Sequence, residues 1–74
     1  MKCRDAGRAL RNLGFEPDPG GGTSHQQWRQ TRDGHLRKVT LDCHRGEVQS
    51  NDVRSMIKQA GVTKERWYAA AAGE

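Results

Sequence analysis

The run Ser24-His25-Gln26-Gln27-Trp28-Arg29-Gln30-Thr31-Arg32-Asp33-Gly34-His35-Leu36-Arg37-Lys38-Val39-Thr40-Leu41-Asp42-Cys43 decides how this chain folds. Asp33-Gly34 is a strong short-range signal for a two-residue hairpin turn. A turn there pairs Arg32 with His35. Trp28 then falls opposite Val39, Gln26 opposite Leu41 and Ser24 opposite Cys43, on the face that carries the apolar residues. The other face pairs Arg29 with Lys38, Gln27 with Thr40 and His25 with Asp42. A one-residue slip would set Trp28 against Lys38 and undo the sorting, because strand side chains alternate faces. The run therefore predicts a sheet with one apolar face and one wet, mostly basic face. His25 stands on the wet one.

N-terminal to the hairpin, Asp18-Pro19-Gly20-Gly21-Gly22 reads as a turn. Phe15 starts an extended piece that Pro17 and Pro19 keep out of the centre of a sheet. Between Arg4 and Leu13, the residues Ala6, Ala9, Leu10 and Leu13 form one helical stripe, and Arg4, Arg8 and Arg11 turn away from it. Gly14 is the natural left-handed cap of that helix. C-terminal to the hairpin, Val53, Met56, Ile57 and Ala60 recur at helical spacing. Ser50 or Asn51 is available as N-cap, Asp52 suits the positive end of the dipole, and Gly61 is the stop. Thr63 can cap a last helix, Lys64 to Ala72, whose Trp67, Ala70 and Ala71 share a face. The order is helix, three strands, then helices.

Composition bounds the function. The chain has 74 residues, 13 Lys and Arg against 9 Asp and Glu, and a net charge of +4. One small domain over residues 1–74 is expected, with no room for a second. Hydrophobic residues make up 32% of the chain and mean hydropathy is -1.03, so the core must be thin. A pI near 9.6 suits a polyanionic partner, of which nucleic acid is the commonest. No stretch approaches the roughly 20 apolar residues of a membrane span, and no signal peptide is visible. Two cysteines, Cys3 and Cys43, are fewer than a secreted disulfide scaffold carries, which predicts reduced thiols and a cytoplasmic protein.

Among candidate site residues His25 ranks first. Taken alone, a histidine on an exposed strand face is most simply a surface residue. Two features favour chemistry. Gly20-Gly21-Gly22 places backbone N–H groups nearby, where an anion can approach closely. The register also sets Asp42 opposite, where a carboxylate can hold one ring nitrogen and fix the tautomer. Histidine serves as general acid or base near neutral pH. His44 faces the same side by parity and is placed to help bind phosphate. Arg29 and Lys38, like charges set opposite each other, are costly unless an anion shares them. Trp28 reads as a core residue rather than a base-stacking platform, and Met56 and Trp67 as packing. Cys3, Cys43, His25 and His44 lack zinc-ligand spacing, and no metal or cofactor is expected. No P-loop, nucleophile elbow or paired-carboxylate motif is present.

The chain resembles the HicA family of small bacterial toxins, the mRNA interferases of type II HicA–HicB toxin–antitoxin modules. Lys2 to Phe15, ending Leu13-Gly14-Phe15, is similar to the family's first helix and the "G-F" after it. Gly22-Thr23-Ser24-His25-Gln26-Gln27-Trp28 is similar to its glycine-serine-histidine segment followed by an aromatic. Val39-Thr40-Leu41-Asp42-Cys43-His44 is similar to its third strand, ending in histidine. Val53-Arg54-Ser55-Met56-Ile57-Lys58-Gln59-Ala60-Gly61 is similar to its "LRSILKQAG" helix, the most specific match. Thr23 stands where glycine is usual, and Gln26 where a second histidine is frequent.

The resemblance implies an α+β, double-stranded-RNA-binding-domain-like fold, α-β-β-β-α(-α), with helices packed on one face of an antiparallel three-stranded sheet. It implies ribosome-independent cleavage of mRNA with His25 as the catalytic residue, and a HicB-type antitoxin that binds the toxin and masks the site. The resulting expectation is a metal-independent endoribonuclease. His25 acts as acid or base, Asp42 orients it, and Gly22, Ser24, Arg29, Lys38 and His44 attend the phosphate. Two other readings stay open: a non-catalytic RNA-binding module of the same fold, and a protein-interaction domain whose basic face meets an acidic antitoxin.

Overall fold

The computed structural model describes residues 1–19 and 25–73. Helix α1 (Cys3–Asn12) is followed by strands β1 (Glu16–Pro17), β2 (His25–Arg32) and β3 (His35–Asp42), then by helices α2 (Ser50–Ala60) and α3 (Lys64–Ala71). The three strands form one antiparallel sheet in the order β1-β2-β3. This is the α+β architecture that the hydrophobic pattern predicts.

The hairpin has the predicted register at every pair from Arg32↔His35 to His25↔Asp42. Asp33 (φ 53°) and Gly34 (φ 78°) both adopt left-handed backbone, as a two-residue turn matching the twist of its strands requires. Trp28 and Val39, opposite each other, are buried, while Arg29 and Lys38 on the other face are exposed. The prolines confine β1 to an edge, where it pairs Glu16 with Arg29 and Pro17 with Trp28. The opposite edge belongs to β3. There the backbone N–H of Thr40 donates to Gln59 Oε1 of α2 at 3.1 Å, so the helix partners one edge donor.

The core holds Ala6, Ala9 and Leu10 of α1, Phe15, Trp28, Val39 and Leu41, Val53, Met56 and Ala60 of α2, and Trp67, Ala70 and Ala71 of α3. Val48 completes it from the segment before α2. Five of these are alanines, so the core is thin and α1 and α3 approach closely. Arg8 Nη1 and Asn12 Nδ2 of α1 donate to the carbonyls of Ala71 (3.0 Å) and Ala70 (2.9 Å), tying the end of α3 to α1. Thr63 caps α3 as predicted, its Oγ1 accepting from Arg66 N at 3.1 Å. Gly61 takes the left-handed cap of α2 at φ 70°. The N-cap of α2 differs from expectation: it is Gln49, with no side-chain cap bond, and Ser50 is already helical. Helix α3 ends at Ala71 rather than Ala72, which becomes its C-cap.

The first residues pair with a distant segment, which local patterning does not announce. Cys3 N donates to Gly46 O at 2.9 Å and Val48 N to Met1 O at 2.7 Å. The expectation of two reduced thiols is corrected there: Cys3 and Cys43 form a disulfide across a sequence separation of 40. Their Cα atoms are 5.9 Å apart, inside the usual range for a bridge. The cause is tertiary, since the end of β3 and the start of α1 are brought side by side. Among the described residues no helix is long and apolar enough to cross a membrane.

Candidate functional site

The wet face of the hairpin is a ladder of polar pairs. His25, the first residue of β2, lies opposite Asp42, the last of β3. The next pair along, Gln27 and Thr40, is joined by a 3.0 Å bond from Gln27 Nε2 to Thr40 Oγ1. Beyond it lie Arg29 and Lys38, side by side as the register predicts. Four residues separate His25 from Arg29, about 13 Å of strand at ~3.3 Å per residue. Arg29 and Lys38 therefore stand along the ladder from His25 rather than beside it.

At the His25 end the structure assembles three groups. His25 Nδ1 lies 3.7 Å from Asp42 Oδ1, and His44 Nε2 lies 3.4 Å from the same oxygen. Both histidine side chains are about three-fifths exposed (60% and 59%), whereas Asp42 is 21% exposed, so the carboxylate sits beneath two accessible rings. Asp42 Oδ1 is itself buried and accepts no hydrogen bond among the described residues. The two separations exceed the 2.7–2.9 Å of a charge-assisted hydrogen bond, so neither ring is hydrogen-bonded to that oxygen. Such contacts are often long in a free site and tighten around substrate.

Local chain chemistry explains the placement. The Asp33-Gly34 turn sets the register that puts His25 across from Asp42. His44 is held by a second tight turn, in which His44 N donates to Glu47 O (2.8 Å) and Glu47 N to His44 O (2.9 Å). Its two central residues, Arg45 (φ 53°) and Gly46 (φ 80°), are both left-handed. Cys43, between Asp42 and His44, is tied to Cys3. Parity already put His44 on the side of His25. Its contact with Asp42 went unpredicted, although Arg45-Gly46 is a turn signal from which a bend could be inferred.

Gly22 and Ser24 lie outside the described residues, as does the glycine run as a whole. Trp28 is an anchor, 2% exposed, with Nε1 donating to Gln26 Oε1 at 3.2 Å. The Arg11 guanidinium lies 5.6 Å from the centre of its ring, so this arginine of α1 turns toward the sheet. Met56 and Trp67 are buried, as expected of packing residues. Among the described residues no group of three or more His, Cys, Asp or Glu converges as metal ligands would.

A search among curated proteins finds no match. A protein-family model described as the HicA toxin of bacterial toxin–antitoxin modules matches residues 3–62, most of the chain. The match runs from α1 through the hairpin to the end of α2 and includes His25, Asp42 and His44. This chain belongs to the HicA family of toxins, whose partners are antitoxins.

Proposed function

We propose that this toxin is a metal-independent endoribonuclease that cleaves mRNA without the ribosome, in the bacterial cytoplasm, and that a HicB-type antitoxin silences it by covering the His25 face. One observation carries the reading: two exposed histidines flank one sheltered carboxylate oxygen at 3.7 and 3.4 Å. RNA cleavage at a 2′-hydroxyl needs two proton transfers. The 2′-oxygen attacks phosphorus as a neutral imidazole takes its proton. The bond from phosphorus to the 5′-oxygen breaks as an imidazolium gives that oxygen a proton. The products are a 2′,3′-cyclic phosphate and a 5′-hydroxyl, and atoms and charge balance. His25 and His44 fill these two roles, and Asp42 lies between the two rings and orients them. Arg29 and Lys38 hold the strand further along, and Gly22 and Ser24 remain candidates for the scissile phosphate.

The test is incubation of purified protein with RNA in EDTA. Wild type should cut and leave cyclic-phosphate ends. His25→Ala and His44→Ala should each lose on the order of 10²–10⁴-fold in rate. Undiminished cleavage by His25→Ala would overturn the assignment. RNA binding without cleavage by wild type would favour a non-catalytic RNA-binding module.

A further inference from the structure

At the far end of the hairpin from His25, three arginines come together on the helix side of the sheet. Arg32 ends β2, Arg37 lies on β3 opposite Gln30, and Arg66 is in the first turn of α3. With Gln30 and Gly61 they line a cavity of about 140 Å³ that contains no carboxylate. Among the described residues, none of the three guanidinium groups makes a hydrogen bond or ion pair. All three are exposed, so solvent screens part of their mutual repulsion, and an anion drawn among them would relieve the rest.

The simple alternative is that Arg37 caps α2, since a helix C-terminus attracts a cation. Arg37 makes no hydrogen bond to a carbonyl of α2, however, and two carbonyls of the last turn are already used: Lys58 O accepts from Gly61 N at 3.1 Å and Ile57 O from Val62 N at 3.4 Å. Gly61 instead makes room, because a Cβ there would overlap the Arg37 guanidinium. The cavity is well below the roughly 300–1,000 Å³ of sites for drug-sized molecules, which suits one phosphate group. Guanidinium forks match phosphate oxygens two at a time. An adjoining cavity shares Gln30 and Arg32 and adds Arg29, with Glu16 its one carboxylate. A basic track thus leads from the wet face toward the arginine cavity.

We propose that Arg32, Arg37 and Arg66 form a second phosphate-binding site, which holds the RNA backbone several nucleotides from the bond being cut. The proposal rests on the endoribonuclease reading for its ligand, but its test does not require cleavage. Labelled single-stranded RNA carrying 2′-O-methyl groups throughout cannot be cut through its 2′-oxygen, and its binding can be followed by anisotropy against salt. Arg37→Ala and Arg66→Ala should each weaken binding equally across sequences. Each should also reduce the slope of log affinity against log salt by about 0.7, the loss of one single-strand phosphate contact. Both arginines are exposed, and the Arg66 variant serves even if Arg37→Ala, beside Gly61, fails to fold. Three results overturn the site: an unchanged slope in both variants, an equal loss from Arg4→Ala on α1, or a loss seen only with a polyglutamate peptide, which would assign the cavity to an acidic protein. If wild type binds no RNA at all, both this site and the endoribonuclease reading fall. Binding by wild type with unchanged slopes in the variants removes this site alone.

Discussion

Reducing the Cys3–Cys43 bond should cost this domain much of its stability. The bond closes a loop with a sequence separation of 40. Chain-entropy arithmetic for a loop of that length gives about 4 kcal/mol, near the top of the ~2–4 kcal/mol usually measured. Stability of roughly 0.05–0.15 kcal/mol per residue leaves a domain of this size with only about 4–11 kcal/mol in all. An unfolding entropy of about 2.1 cal/mol/K per residue turns a 2–4 kcal/mol loss into a Tm drop of roughly 13–25 °C. Backbone bonds from Cys3 N to Gly46 O and from Val48 N to Met1 O remain after reduction, so the native pairing is weakened rather than erased. The assay is thermal unfolding of the oxidised protein with and without dithiothreitol. Cys43→Ser should melt near the reduced value and ignore the reductant. A melting temperature that stays within two or three degrees on reduction would refute the reasoning. So would two thiols that remain free to alkylation after mild oxidation.

Two further outcomes are expected. Asp42→Asn keeps the shape but removes the charge beneath both histidines; cleavage should fall by less than the roughly 10²–10⁴-fold assigned to His25, with little change in melting. Trp67 is fully buried at the α1–α3 contact, so Trp67→Ala should cost about 3–5 kcal/mol in urea unfolding. Its Nε1 has no hydrogen-bond partner among the described residues, so Trp67→Phe should cost clearly less than alanine, and an equal cost would contradict that account.

The hairpin was legible because two local signals agree. Asp33-Gly34 specifies the turn, and the alternation of Trp28, Gln26, Val39 and Leu41 with Arg29, Gln27, Lys38 and Thr40 permits one register. That register alone places His25 across from Asp42. The α1 stripe of Ala6, Ala9, Leu10 and Leu13 and the α2 stripe of Val53, Met56, Ile57 and Ala60 were readable for the same reason: Leu13 and Ile57 are partly buried against the core and the other six are buried. At the start of α2 Ser50 has capping chemistry but stands one residue after the N-cap, Gln49. The helical stripe alone turns Arg11 away from the apolar face, and only the packing of the sheet brings the Trp28 ring to it. Val48 lies in no periodic run, and nothing near it in sequence marks it as core.

What the sequence determined by itself is therefore what depends on neighbours along the chain: element types, the hairpin register, the Gly61 and Thr63 caps, and the two faces of the sheet. Tertiary structure alone decided the Cys3–Cys43 bond, the sharing of Asp42 Oδ1 by His25 and His44, and the gathering of Arg32, Arg37 and Arg66 around one cavity. The physical reason is that periodicity and turn chemistry act over a few residues, whereas these groups meet only when a turn bends back or a helix packs against a strand. The distances at which charges and thiols interact are set by that packing.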